Sequence, residues 1–134
     1  MSKTLEEGLD LDLDFKKLAK VAGTGHDMLP VVVQHAENKE VLVLAYTNEA
    51  AFRHTRQTGI ATFWSSSRNE LWVKGQTSGD TLRVKEVRVN CEQNSLLYLV
   101  TPEKGGVCHT KDAEGNTRET CYYRSLIGEE LKFL

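Results

Sequence analysis

The run Leu96-Leu-Tyr-Leu-Val100 constrains the fold most, because it is apolar at every position and rich in residues that favour strands. A strand of that kind has no polar face to give to water, so it belongs in the centre of a sheet covered on both sides. The other β-rich stretches supply its neighbours. Pro30-Val-Val-Val-Gln-His35 and Val41-Leu-Val-Leu-Ala-Tyr46 flank a short polar turn and read as a hairpin. Ile60–Ser65 and Leu71–Lys74 are strand-like around the polar Ser66–Glu70, and Gly75–Asp80 reads as a loop. From Thr81 to Val100 the chain is again strand-rich.

Helices are fewer. Phe15, Leu18 and Ala22 stand at helical spacing, with Gly23 as the stop, which predicts a short amphipathic helix resting on that face. Asn48 is placed to cap a second helix over Glu49–Thr58, with Glu49 in its first turn and Gly59 just past its end. Residues 1–14 are acidic and expected to be partly mobile, and the charged tail beyond Gly128 simply closes the chain. The fold class expected is mainly β, a β-rich α+β arrangement with one or two short helices on the sheets.

Length and composition bound the function. A chain of 134 residues suits a single domain over 1–134 with a real core. A net charge of −2 gives no electrostatic case for nucleic acid or an anionic membrane as a partner. No apolar run approaches a membrane span, and the amino terminus lacks the basic and apolar regions of a signal peptide. Three cysteines is an odd number, which argues against a closed disulfide framework. The chain therefore reads as cytoplasmic, with reduced thiols.

Two of those thiols lie in Gly105–Arg124, where Cys108 is followed directly by His109 and a polar loop leads to Cys121. Thiolate and imidazole are the ligands zinc prefers, and Cys91 adds a third sulfur upstream. That number suits a closed structural site or an open catalytic one. The long gap between Cys108 and Cys121 equally suits small buried hydrophobes. Strand parity puts Val87, Val89 and Cys91 on one apolar face, and Arg88, Asn90, Glu92 and Asn94 on the other. Cys91 then either packs in the core or meets metal on a face that packs against something else, such as a second subunit.

Ser65, Ser66, Ser67 and Arg68, then Lys74, Thr77 and Ser78, form two polar clusters beside tryptophans. Hydroxyls, glycine-flanked backbone N–H groups and two cations are what a phosphate site needs. Trp64 and Trp72 would then bound a pocket for a flat base; the alternative is two solvated turns with core tryptophans. His26, His35 and His54 stand alone and read as surface or core residues.

Taken together the segments resemble the phosphoribosyl-AMP cyclohydrolases of histidine biosynthesis, from about Val31 to Leu131. Phe63-Trp-Ser-Ser-Ser-Arg68, Leu71-Trp-Val-Lys-Gly-Gln-Thr-Ser-Gly79, Cys108-His-Thr110 and Cys121-Tyr-Tyr-Arg124 carry the resemblance. It implies a pseudo-barrel of two packed sheets built as an intertwined homodimer. It implies zinc shared across the dimer, by Cys91 of one chain and Cys108 and Cys121 of the other. The activity implied is zinc-dependent hydrolysis of the N1–C6 bond in the adenine ring of 1-(5-phosphoribosyl)-AMP. Trp64, Ser65, Ser67, Arg68, Trp72, Lys74, Thr77 and Ser78 would contact this nucleotide, and His109 would move protons or act as a fourth zinc ligand.

The family usually carries three Asp residues around its first cysteine, associated with magnesium. Here these are Asn90, Glu92 and Asn94, a degenerate set from which weaker magnesium dependence is expected. The loop between Cys108 and Cys121 is also longer than usual, a change of little thermodynamic cost. A fused pyrophosphohydrolase is not expected in a chain that ends soon after Cys121. The altered acidic set leaves two alternatives, a diverged zinc hydrolase of a related purine nucleotide and a non-catalytic zinc-binding dimer.

Overall fold

The computed structural model describes residues 3–134, so the expected mobility of the acidic segment lies, for residues 1 and 2, outside the described residues. The central element is a four-stranded mixed sheet in the order β2-β1-β6-β5, formed by β1 (Leu29–His35), β2 (Val41–Thr47), β5 (Leu82–Val89) and β6 (Leu96–Pro102). β1 and β2 form the expected antiparallel hairpin, and β5 and β6 form another. The two hairpins join through β1 and β6, which run parallel, so the apolar run of β6 is an inner strand. Val31 and Val33 point inward and are fully buried, while Val32 between them is exposed, as a period of two requires.

β3 (Thr62–Ser65) and β4 (Glu70–Val73) make a separate hairpin packed over this sheet. Phe63 is its anchor, with its ring 6.0 Å from those of Tyr98 and Trp72. Around it gather Val31, Val33, Leu42, Leu82, Tyr98, Val100 and Val107, all fully buried. Burying each of these side chains contributes roughly 1.5–3 kcal/mol. A fourth hairpin, β7 (Arg124–Ile127) and β8 (Glu130–Phe133), turns at Gly128 and occupies what read as a plain tail. The expected two packed sheets are thus one four-stranded sheet and two short hairpins.

Helix α3 (Glu49–Thr58) forms where expected. The Asn48 side chain accepts from the Ala51 N–H at 2.9 Å, and Gly59 ends the helix at φ 75°. Such a cap is worth about 1 kcal/mol. Helix α2 (Lys17–Ala22) starts later than expected and rests on a different face. Phe15 is 90% exposed and Leu18 69%, whereas Val21 is buried. A helix of this length seats one side chain firmly, and that one is not on the Phe15–Leu18 stripe. Within the acidic amino terminus, expected to be partly mobile, Lys3–Glu7 forms a further short helix, α1. Among the described residues no helix is long and apolar enough to cross a membrane.

The parity of β5 needs one correction. The register shifts between Val84 and Glu86, leaving Lys85 unpaired. Val87 then lies opposite Tyr98 and Val89 opposite Leu96, on the core side, but the cover runs out and Val89 is 54% exposed. The strand ends there. Cys91 falls in the exposed turn beyond it, so it is not a core residue.

Tyr98 is fully buried, and its hydroxyl stands near those of Thr55 and Thr47. It is nevertheless the one buried side-chain polar atom among the described residues with no hydrogen bond of ordinary geometry. Burial accordingly pushes its phenol pKa up. A buried hydroxyl without a full partner costs about as much as a hydrogen bond contributes. Tyr98→Phe should therefore leave stability within about 1 kcal/mol of the parent or above it, as read by urea unfolding. A larger loss would show that the hydroxyl is well bonded.

Candidate active site

A cavity of about 620 Å³ opens between the β3–β4 hairpin, the loop after β4 and the segment from Val107 to Cys121. Cys108, His109 and Cys121 line it together with Arg68, Trp72, Lys74, Thr77 and Ser78. Residues far apart in the chain thus meet in one space, and local backbone contacts explain how.

Gly106 brings the thiol segment together. A Cβ there would sit 2.2 Å from the Arg118 carbonyl oxygen, so no other residue permits this approach. The Cys108 N–H donates to the same carbonyl at 3.1 Å, and the Arg118 N–H returns a bond to Thr110 at 3.2 Å. Cys121 is fixed independently, its N–H donating to the Leu42 carbonyl on β2 at 2.8 Å. Between them the polar loop closes on itself through an isolated Lys111–Thr117 bridge and the Asp112 carboxylate, which accepts from the Glu114 and Asn116 N–H groups. The extra residues therefore project outward. On the opposite wall Gly75 plays the part of Gly106, since a Cβ there would meet the Asp80 carbonyl at 2.1 Å.

The two thiols shift each other's titration in opposite directions. The Cys121 S–H bond draws the Cys108 pKa down to about 5, helped by the Thr110 hydroxyl 3.0 Å away and by the Thr110 N–H, while burial opposes the shift. The Cys121 pKa moves up, because its proton is held by Cys108 and it is buried beside a thiolate. Lys74, 8% exposed, faces the pair. Burial lowers its pKa, and Asp80, Cys121 and Cys108 work to keep it charged. At neutral pH the site thus holds one thiolate and one thiol, with the Lys74 amine nearby.

Zinc suits this donor set in kind, with two sulfur ligands, one already anionic. It does not suit it in number. Among the described residues no group of three Cys, His, Asp or Glu side chains is placed to hold a metal ion. Cys91 does not line the cavity; it is exposed on the β5–β6 turn. Asn90, Glu92 and Asn94 share that turn, and their arrangement does not suit magnesium. The Asn90 side-chain oxygen accepts from the Asn94 and Ser95 N–H groups at 2.9 and 3.0 Å, and its amide donates to the Asn94 side-chain oxygen at 2.7 Å. Both amide oxygens are engaged, and Glu92 is the one carboxylate of the three.

Three expected nucleotide contacts lie elsewhere. β3 pairs with β4 so that Trp72 shares a face with Phe63, and Trp64 takes the other face with Leu71. The tryptophans therefore do not bound one pocket. Trp64 lines a separate cavity of about 700 Å³, its ring 4.5 Å from His26. Ser65 and Ser67 bond to each other at 3.2 Å, and Ser65 accepts the Arg68 N–H, closing the hairpin turn. His35 and His54 are used locally, His35 accepting the Glu37 N–H and His54 bonding the Thr62 hydroxyl. Sequence reading missed Thr110 and Asp80, which adjoin the sites it did find. It also missed Glu6, which contacts His109 and has no local signal in the sequence.

The sharing of one proton sets a pH dependence. In metal-free protein, between about 5 and the ordinary thiol value of 9.0, the folded pair binds one proton where the unfolded chain binds two. Stability from the pair therefore rises with pH across that window and falls above it, where folded Cys121 alone keeps its proton. The stability difference between the metal-free parent and Cys108→Ser/Cys121→Ser, followed by urea unfolding, should grow from pH 5 to 9 and then shrink. A flat difference would mean that the thiols do not share a proton.

Comparison with known proteins places this geometry. Residues 43–123 match the family model for phosphoribosyl-AMP cyclohydrolase. The phosphoribosyl-AMP cyclohydrolase of Archaeoglobus fulgidus is 49% identical over 105 residues, covering 78% of this chain and 91% of that protein. That of Haloarcula marismortui is 45% identical over 120 residues, covering 90% and 88% respectively. That of Cenarchaeum symbiosum is 40% identical over 123 residues, covering 92% of this chain and the whole of that protein, 100%. The matched segment contains the cavity's cysteines, its histidine and its cationic residues Arg68, Lys74 and Lys111, and on these grounds the chain belongs to the phosphoribosyl-AMP cyclohydrolase family of enzymes.

Proposed function

We propose that the chain hydrolyses the N1–C6 bond of the adenine ring in 1-(5-phosphoribosyl)-AMP, a step of histidine biosynthesis, as a homodimer with zinc in each site. The observation that carries the reading is that one cavity brings Cys108 and Cys121 together with Arg68, Lys74, Thr77 and Ser78. Cys108 and Cys121 would hold zinc with Cys91 of a second copy, whose exposure on the β5–β6 turn suits a ligand given to a neighbour. When bound, zinc supplies Lewis acidity and brings the pKa of water at its open position toward neutrality.

The chain's own residues do the rest. Arg68 and Lys74 offer charge to the phosphates, with Thr77 and Ser78 offering hydroxyls; Arg68 sits on the rim with Glu70 at 3.5 Å, and Lys74 lies deeper. Trp72 gives an apolar wall for the base. Water adds at C6, the N1–C6 bond breaks, and N1 gains a proton. His109, at the cavity wall, is the group within reach to move that proton.

Incubating the purified protein with 1-(5-phosphoribosyl)-AMP and following ring opening by absorbance tests the reading. Turnover should fall by more than about 100-fold in Cys108→Ser and in Cys91→Ser, and mixing those two inactive variants should restore part of it if ligands come from two copies. Binding without turnover in the parent would favour a related nucleotide as substrate. Chelation that unfolds the protein, with no nucleotide bound, would make the metal structural.

We further propose that this chain works without magnesium at its β5–β6 turn. The rate should be insensitive to added magnesium in the parent and become sensitive in Asn90→Asp/Asn94→Asp. Equal responses would overturn that account of the substitutions.

A further inference from the structure

We infer that Glu6 is a positioning residue for His109, fixing which imidazole nitrogen carries the proton. This rests on the reading of His109 as the proton carrier. The Glu6 Oε2 meets the His109 Nε2 across nearly the whole length of the chain. An ionised carboxylate only accepts, so it selects the neutral tautomer with hydrogen on Nε2 and leaves Nδ1 bare. The same contact holds the ring's orientation from its Nε2 side.

The contact is built rather than incidental. The Glu6 side chain is only 19% exposed, against 65% for His109. Its backbone is held by groups that take no part in the contact. The Tyr123 hydroxyl donates to the Glu6 carbonyl at 2.6 Å, and Arg124 donates to the Gly8 carbonyl at 2.9 Å. The Leu131 N–H donates to the Leu9 carbonyl at 2.8 Å, and Asp10 bridges to Glu130. Tyr123 is itself fixed between the Arg118 guanidinium, 4.2 Å from its ring, and the ring of Phe133. Tyr123 and Arg124 lie just past Cys121, separated from it by Tyr122, so the same short stretch sets a thiol and the mount for Glu6. Glu6 lies outside residues 43–123, the segment that the family model matches, so the match does not assign it a role.

Because those anchors reach backbone atoms, changing the Glu6 side chain leaves the mount in place. Glu6→Gln fills the same space, but its amide both donates and accepts and so selects no tautomer. Glu6→Asp keeps acceptor-only chemistry on a shorter arm. Proton–nitrogen correlation spectra of the His109 ring in the full-length protein read the tautomer directly. The parent should show hydrogen on Nε2, Glu6→Gln a mixture, and Glu6→Asp a pattern closer to the parent. With 1-(5-phosphoribosyl)-AMP, kcat should fall about ten-fold in Glu6→Gln while KM stays within about two-fold, and Glu6→Asp should recover part of the loss. Identical ring spectra in the parent and Glu6→Gln would overturn the inference. If the spectra change as stated but His109→Ala keeps full turnover, Glu6 still sets the ring and it is the role of His109 that fails.

Discussion

The meeting of Cys108 and Cys121 in one cavity is what the rest of the site is arranged around, and neither sulfur could be there without a specific backbone contact. Cys108 arrives because Gly106 lets two strands of backbone touch at Arg118. Cys121 arrives because its N–H is tied to Leu42 on the edge strand of the main sheet. Asp80 first, and then the two sulfurs, offset the burial that disfavours a charge on Lys74, since a buried cation needs an anion near it. Removing either sulfur thus changes the electrostatics of the whole cavity, besides the ligand count.

Much of the fold was legible where local chemistry and the tertiary structure agree. The apolar run at Leu96–Val100 became an inner strand, and the Asn48 cap with Gly59 framed α3 at both ends. Reading failed where tertiary cover decided the outcome. Val89 lies on the inward face as its parity demands, yet it is left 54% exposed. Phe15 and Leu18 have helical spacing, yet Val21 is the residue that is seated. The terminal hairpin was missed because its two strands are short and mostly exposed, which leaves almost no alternating signal.

The site divides along the same line. Contacts carried on one turn, such as those flanking Trp72 and Lys74, could be picked out from residue types alone. Trp64 could not be assigned that way, because only the pairing of Phe63 with Trp72 reveals which face it takes. Glu6 is the extreme case. Its partner stands at the other end of the sequence, and no spacing rule connects them. Asn90 and Asn94 illustrate the reverse: their identities alone said the turn had lost charge, and the coordinates add that each amide is occupied with the other.

The parallel pairing of β1 with β6 has a consequence for how the chain reaches this state. Their register joins Val31 to Leu96, so the sheet cannot close until nearly everything between has been made and gathered. Each hairpin can form early from neighbours, whereas the seam between them must bear the entropy of a long closed loop. Assembly on the ribosome should therefore be late and abrupt, with Val31 and Val33 left uncovered until β6 emerges.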